Sequence, residues 1–180
     1  MLSITIPGRE FWDEINEEFI YTKGATIQLE HSLVSLSKWE SKYCKPFLTK
    51  NEKTYEETLD YIKFMTITQN VKNEIYENLS TANYKDIRKY IEAPMSATTF
   101  SNEQKTRINR EQVTSELIYY WMVTLNIPFE CQKWHLNRLL TLIRVCNVKN
   151  APPKHRNSRE IMKRNSAINK QRMKKYNTRG

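Results

Sequence analysis

Three glycines in 180 residues leave this chain short of the residue from which phosphate-cradling loops are built, and it contains neither a Walker-type nor a dinucleotide-type glycine pattern. Nucleotide chemistry built on those two motifs is therefore excluded. Cysteine is equally scarce. Cys44, Cys131 and Cys146 are odd in number and widely spaced, which does not suit a disulfide framework. Set among aromatic or aliphatic neighbours, they are expected to be buried, reduced thiols acting as small hydrophobes. No apolar run approaches the roughly 18 residues needed to cross a bilayer. Met1 to Arg9 also lacks the basic-then-apolar order of a secretory signal. The expectation is a soluble, cytosolic protein.

What the chain does have is a segregated charge. Residues 149–180 hold eleven Lys and Arg against the single acid Glu160, a net of +10, whereas the whole chain carries +9. Residues 1–148 therefore sum to about −1, an ordinary, nearly neutral body with a basic appendage. Ten Tyr, six Phe and four Trp supply rigid, high-area side chains for a core, and of the Trp and Tyr only Tyr176 lies in the tail. The length fits one domain of roughly 100–200 residues plus that tail.

Periodicity predicts an α+β, mainly helical fold: a small N-terminal antiparallel sheet in 1–30, a helical body in 31–150 that forms one domain with it, and a basic tail in 151–180. Leu2, Ile4 and Ile6 alternate before Pro7-Gly8, and Ile27 and Leu29 alternate after Lys23-Gly24, with a further extended stretch from Phe11 to Tyr21. Leu33, Leu36, Trp39 and Tyr43 then share a helical face that ends before Pro46. Thr54 and Glu57 form a capping box for a helix reaching toward Gln69. Shorter helices are expected at Val71–Leu79 and Tyr84–Ile91, and a loop from Met95 to Arg107. Asn109 with Gln112 is a capping-box candidate for a helix through Trp121 to about Leu125. A second helix, apolar nearly all round, should run from Phe129 to about Val148, with Trp121 and Trp134 facing each other in the core. Ala151-Pro152-Pro153 marks a boundary. Beyond it, Asn157 and Glu160 could cap a helix to about Lys175, frayed in isolation and ordered on a partner.

Candidate chemistry is sparse. Cys131 and His135, spaced i and i+4, could meet on one helical face as soft metal ligands, but no third or fourth ligand is evident. The plainer reading is a packed thiol beside a hydrogen-bonded imidazole. A cysteine nucleophile with a histidine base would use that pair or Cys44 with His31, again with no orienting third group at a readable spacing. Glu56, Glu57 and Asp60 read as first-turn acids complementing a helix dipole. The residues therefore point to no enzyme, no metal and no cofactor. They point to a binding protein whose candidate contacts are the tail cations Arg159, Lys163, Arg164, Lys170, Arg172, Lys174 and Lys175, joined by Trp121 and Trp134. Such a tail could meet an acidic protein or, in a salt-sensitive and nonspecific way, nucleic acid. One aromatic, Tyr176, offers little platform for base stacking.

Three stretches carry a resemblance: Leu29 to Lys42 (LEHSLVSLSKWESK), Glu116 to Met122 (ELIYYWM) and Ile127 to Leu140 (IPFECQKWHLNRLL). Together with Asn150 to Pro153 and the terminal Asn177 to Gly180, they resemble a family of small proteins from long-tailed, siphovirus-type bacteriophages interpreted as tail assembly chaperones. The resemblance implies a non-enzymatic factor of the host cytoplasm, absent from the mature virion. Such a factor binds the long helical tape-measure protein, and tail-tube subunits with it, and keeps the client soluble during tube assembly. Some members also occur in a longer, frameshifted form, and self-association is compatible with the role. Two alternatives are a virion structural protein, such as a head-to-tail connector or completion protein with a DNA-contacting tail, and a nucleic-acid-binding regulator. The regulator would need a helix-turn-helix pair that the sequence does not clearly offer.

Overall fold

A computed structural model describes residues 1–13, 17–49, 52–100, 112–151 and 158–177. It is α+β and mainly helical. Four strands open the chain: β1 (Leu2–Ile6), β2 (Arg9–Asp13), β3 (Glu18–Thr22) and β4 (Ala25–Leu29). β1 pairs antiparallel with β4, and β2 with β3. Leu2 faces Leu29, Ile6 faces Ala25, Arg9 faces Thr22 and Asp13 faces Glu18, so a single register runs through both pairs. The sheet is thus one long hairpin, interrupted where Pro7 lacks an N–H to donate. Gly24 stands in the same break. A Cβ there would lie 2.7 Å from the Ile6 carbonyl oxygen and 2.8 Å from the Gly8 nitrogen, too close for any side chain without a backbone shift.

Alternation does what it should on the first pair. Ile4, Ile6, Ile27 and Leu29 are buried, while Ser3, Thr5, Thr26 and Gln28 face out. Seven α-helices follow among the described residues: α1 (Leu33–Tyr43), α2 (Tyr55–Met65), α3 (Asn73–Glu77), α4 (Thr81–Glu92), α5 (Ser115–Thr124), α6 (Leu136–Asn150) and α7 (Ser158–Tyr176). Ser32 and Ser35 form a capping box at the start of α1, and Thr54 and Glu57 form the expected one on α2. Ser80 and Asn83 form a third, which starts α4 three residues before the expected Tyr84. Cys44 closes α1 in the left-handed region, at φ 52°, and is exposed. This corrects the expectation of three buried thiols: only Cys131 is buried, and Cys146 is half-buried.

Several boundaries differ for tertiary reasons. α2 ends at Met65, not near Gln69, because the chain leaves it to pair with the free edge of β4. Ile67 N–H donates to the Gln28 carbonyl at 2.8 Å, and Glu30 N–H to that of Met65 at 2.9 Å. Asn109 lies outside the described residues, and Thr114 is the N-cap of α5. The single helix expected from Phe129 is two pieces, a 3-10 turn over Phe129–Lys133 and then α6. Trp134 between them is extended, and Leu136 N–H donates to the His31 carbonyl at 2.7 Å. A backbone tie to the start of α1 has replaced helical continuity.

Contacts divide the chain into two units, Met1–Asn147 and Val148–Gly180, a boundary slightly before the prolines read from sequence. The core lies in the first. It gathers the inner face of β1 and β4 with Leu33, Leu36 and Trp39 of α1, Ile62 and Met65 of α2, Ile87 of α4, Ile118 and Met122 of α5, and Leu139 and Ile143 of α6. Each fully buried aliphatic side chain contributes about 1.5–3 kcal/mol.

Two polar arrangements hold the helices in place. Glu40 is buried, its carboxylate accepting from Phe47 N–H at 2.8 Å and from Ser115 N–H, the first residue of α5, at 2.7 Å. Glu40→Ala would leave both donors unpartnered and should cost about 2–3 kcal/mol, read as a lower urea midpoint with an unchanged slope. The acids of α2 do more than complement a dipole. Asp60 meets Lys42, Tyr43 and Lys63, and Glu57 meets Lys45 at 2.7 Å, so both tie α2 to the end of α1. Burial pushes the Asp60 pKa up, but the Lys42 and Tyr43 hydrogen bonds outweigh it and the net direction is down.

Candidate partner-binding surfaces

α7 runs 19 residues, roughly 28 Å at 1.5 Å per residue. Arg159, Lys163, Arg164, Lys170, Arg172, Lys174 and Lys175 all lie on it and all are exposed. At 100° per residue, Arg159, Lys163, Lys170 and Lys174 fall within about 60° of arc, which makes a longitudinal stripe of four cations. Among the described side chains of α7 only Ile168 is even half-buried. Met162 and Tyr176 are exposed as well. The cap candidates Asn157 and Glu160 fall on an undescribed residue and an undescribed side chain.

The two tryptophans are not brought together. Both are half-buried and pack against the core, Trp121 from α5 and Trp134 from the extended link before α6. Among the described residues no ring contact joins them, and the Trp134 face is covered instead by the Arg138 guanidinium at 4.2 Å. The break at Trp134 is the reason: the helix expected to aim that ring across at Trp121 does not form there.

The same break separates Cys131 from His135. Cys131 sits in the 3-10 turn, and the His135 backbone bridges to Ser32. Among the described residues no group of three or more potential ligands is placed to hold a metal ion. His135 instead belongs to a buried polar cluster. Its Nε2–H donates to the Tyr90 carbonyl at 3.0 Å, and its ring lies 5.1 Å from that of His31. The Tyr61 hydroxyl and His31 Nδ1 share a hydrogen bond, and Tyr90 donates to Glu30 Oε1 at 2.6 Å. Burial, then the neighbouring His135, push the His31 pKa down to about 3. Burial likewise lowers that of His135. Both rings are neutral at pH 7, and they staple the starts of α1 and α6 to α2 and α4.

A further surface escaped the sequence reading. Past the Pro7-Gly8 break the hairpin carries Trp12 and Phe19 directly opposite one another, rings 4.9 Å apart and edge to face, with Tyr21 next on the same side. They are 49%, 67% and 65% exposed. Aromatic residues this exposed, and this close together, mark interaction surfaces more often than cores. Phe11-Trp12 and Phe19-Ile20-Tyr21 are unbroken apolar runs, which do not say which face, or which pair of strands, reaches the core.

Compared with protein-family models, curated proteins and solved structures, the chain matches none of them.

Proposed function

We propose that this protein is a non-enzymatic tail assembly chaperone, acting in the host cytoplasm, that binds a tape-measure protein and keeps it soluble during tail-tube assembly. The single observation that carries this reading is a basic helix, its described side chains exposed apart from Ile168, attached to a nearly neutral body. A helix with no buried face of its own gains stability by lying on a partner of opposite charge. The sequence resemblance supplies the identity of that partner. The exposed Trp12, Phe19 and Tyr21 face supplies a second place for contact with client or tail-tube subunits.

Copurification tests this directly. Residues 1–180 and 1–150, each co-expressed with the tape-measure protein, should differ: the full chain holds the client in the soluble fraction and the truncated chain loses most of it. The difference should shrink as salt rises, because exposed cations are screened within about 10 Å at 0.1 M salt. The four-cation stripe favours one competing reading, a virion component whose tail touches packaged DNA. If neither form retains the client while the full chain shifts DNA with steep salt dependence, that reading replaces the chaperone.

A further inference from the structure

Between α2, α4 and the segment that follows α1 lies a cavity of about 720 Å³, within the size range of small-molecule sites. Phe47, Tyr61, Ile62 and Ile87, all buried, form its apolar lining, with the Phe47 and Tyr61 rings stacked at 4.0 Å. Charged and hydroxyl groups line it as well, and they differ in state. Arg88 and Glu92 neutralise each other at 3.0 Å, and Glu52 is exposed and keeps its water.

Two groups are left without a full complement of partners. Lys53 lies with its ammonium 4.3 Å from the Phe47 ring centroid and makes no ion pair among the described residues. Burial lowers its pKa, with Glu57 acting weakly the other way, so the ammonium is incompletely hydrated. The Tyr84 hydroxyl is buried and makes no hydrogen bond of good geometry, with the Tyr55 side chain as a polar neighbour. Such a group costs free energy until something accepts its proton. The two come from different elements, the segment before α2 and α4, and both line the same cavity.

We propose that this cavity binds a small amphipathic anion. The apolar body sits on Phe47, Tyr61, Ile62 and Ile87, and a carboxylate or similar head meets the Lys53 ammonium and accepts from the Tyr84 hydroxyl. An anionic head is the chemistry that suits both groups. A cationic head would face Lys53 and leave the hydroxyl unpaired, and a neutral apolar molecule would leave both as they are. The inference stands apart from the chaperone reading, since it uses neither α7 nor the hairpin.

Fluorescence of anilinonaphthalene sulfonate, titrated into the full chain at neutral pH and displaced by octanoate, tests it. Saturable binding at one site is expected, with octanoate displacing the probe and octylamine failing to do so. Lys53→Met should weaken octanoate about tenfold, and the isosteric Tyr84→Phe by a smaller factor of about three. Ile91→Trp, at a half-buried lining position, should remove binding with the far-UV circular dichroism unchanged. Phe19→Ser on the hairpin should leave binding as it is. Equal competition by octylamine, indifference to Lys53→Met, or loss of probe binding in Phe19→Ser would each overturn the proposal. So would displacement by an acidic helical peptide but not by octanoate, which would make the groove a protein-docking site.

Discussion

Trp39→Ala should be among the most damaging single substitutions in this protein, with an expected cost of about 3–5 kcal/mol. Trp39 is 2% exposed, and its ring meets Phe47 edge to face at 5.0 Å and Tyr43 at 4.9 Å. Its Nε1–H donates to the Glu57 carbonyl at 2.9 Å. Truncation therefore removes a large buried area, leaves a cavity between α1 and α2, and strands an acceptor in the interior. Against a typical total of 5–15 kcal/mol, a loss of that size takes a large share of the stability. Urea denaturation followed by tryptophan fluorescence would show a lower midpoint. Trp134→Ala is the control, because that ring is half-buried and covered by a surface arginine, and it should cost no more than about 2 kcal/mol. Equal costs would mean that the division between core and periphery drawn here is wrong.

Acid should destabilise the protein before most of its carboxylates are titrated. His31 is held neutral, with a pKa lowered from 6.5 to about 3. In the unfolded chain the same ring takes up a proton as pH falls through its ordinary value. Below that pH the unfolded state binds more protons than the folded one, so stability falls as pH falls. The contribution is fully present above about pH 6.5 and is lost progressively down to about pH 3. His31 alone gives a slope of about 1.4 kcal/mol per pH unit, on the order of 5 kcal/mol across the window. His135 acts in the same direction, its pKa also lowered by burial, with Glu30 opposing the shift. Tyr61 and Tyr90, the other titratable neighbours, have pKa values raised by burial and stay protonated throughout. Unfolding free energies measured between pH 7 and about pH 4.5, above most carboxylate titration, isolate the effect. His31→Gln should flatten the slope there even if it lowers stability overall. An unchanged slope would show that the imidazole is not the group responsible.

Both predictions turn on residues that the sequence presented only in part. Trp39 was legible as core because Leu33, Leu36, Trp39 and Tyr43 fall at helical spacing, and the capping box at Thr54 was legible because its two residues bond each other three positions apart. Those are local interactions, set within one or two turns of chain. His31 and His135 are 104 positions apart, and nothing in spacing announces that their rings meet; the sequence offered His31 as a possible base and His135 as a possible ligand or base or, more plainly, a hydrogen-bonded imidazole. Nothing in local spacing marks Glu40 as buried; the segment after α1 and the start of α5 supply the two N–H groups that its carboxylate accepts from.

The chain by itself determined the α+β character, the capped starts of α1 and α2, and the separation of a basic tail from a nearly neutral body. Charge and short-range periodicity are properties of neighbours in sequence, so they survive without knowledge of the fold. Tertiary structure decided the rest. It ended α2 at Met65 because β4 had a free edge to pair, and broke the helix at Trp134 because the His31 carbonyl captured the Leu136 amide. It turned Trp12, Phe19 and Tyr21 outward because the hairpin continues past the breaks at Pro7-Gly8 and Gly24, beyond the buried β1–β4 face. Each of these outcomes depends on which distant group satisfies a backbone hydrogen bond or covers an apolar face, and that choice is made only when the whole chain packs.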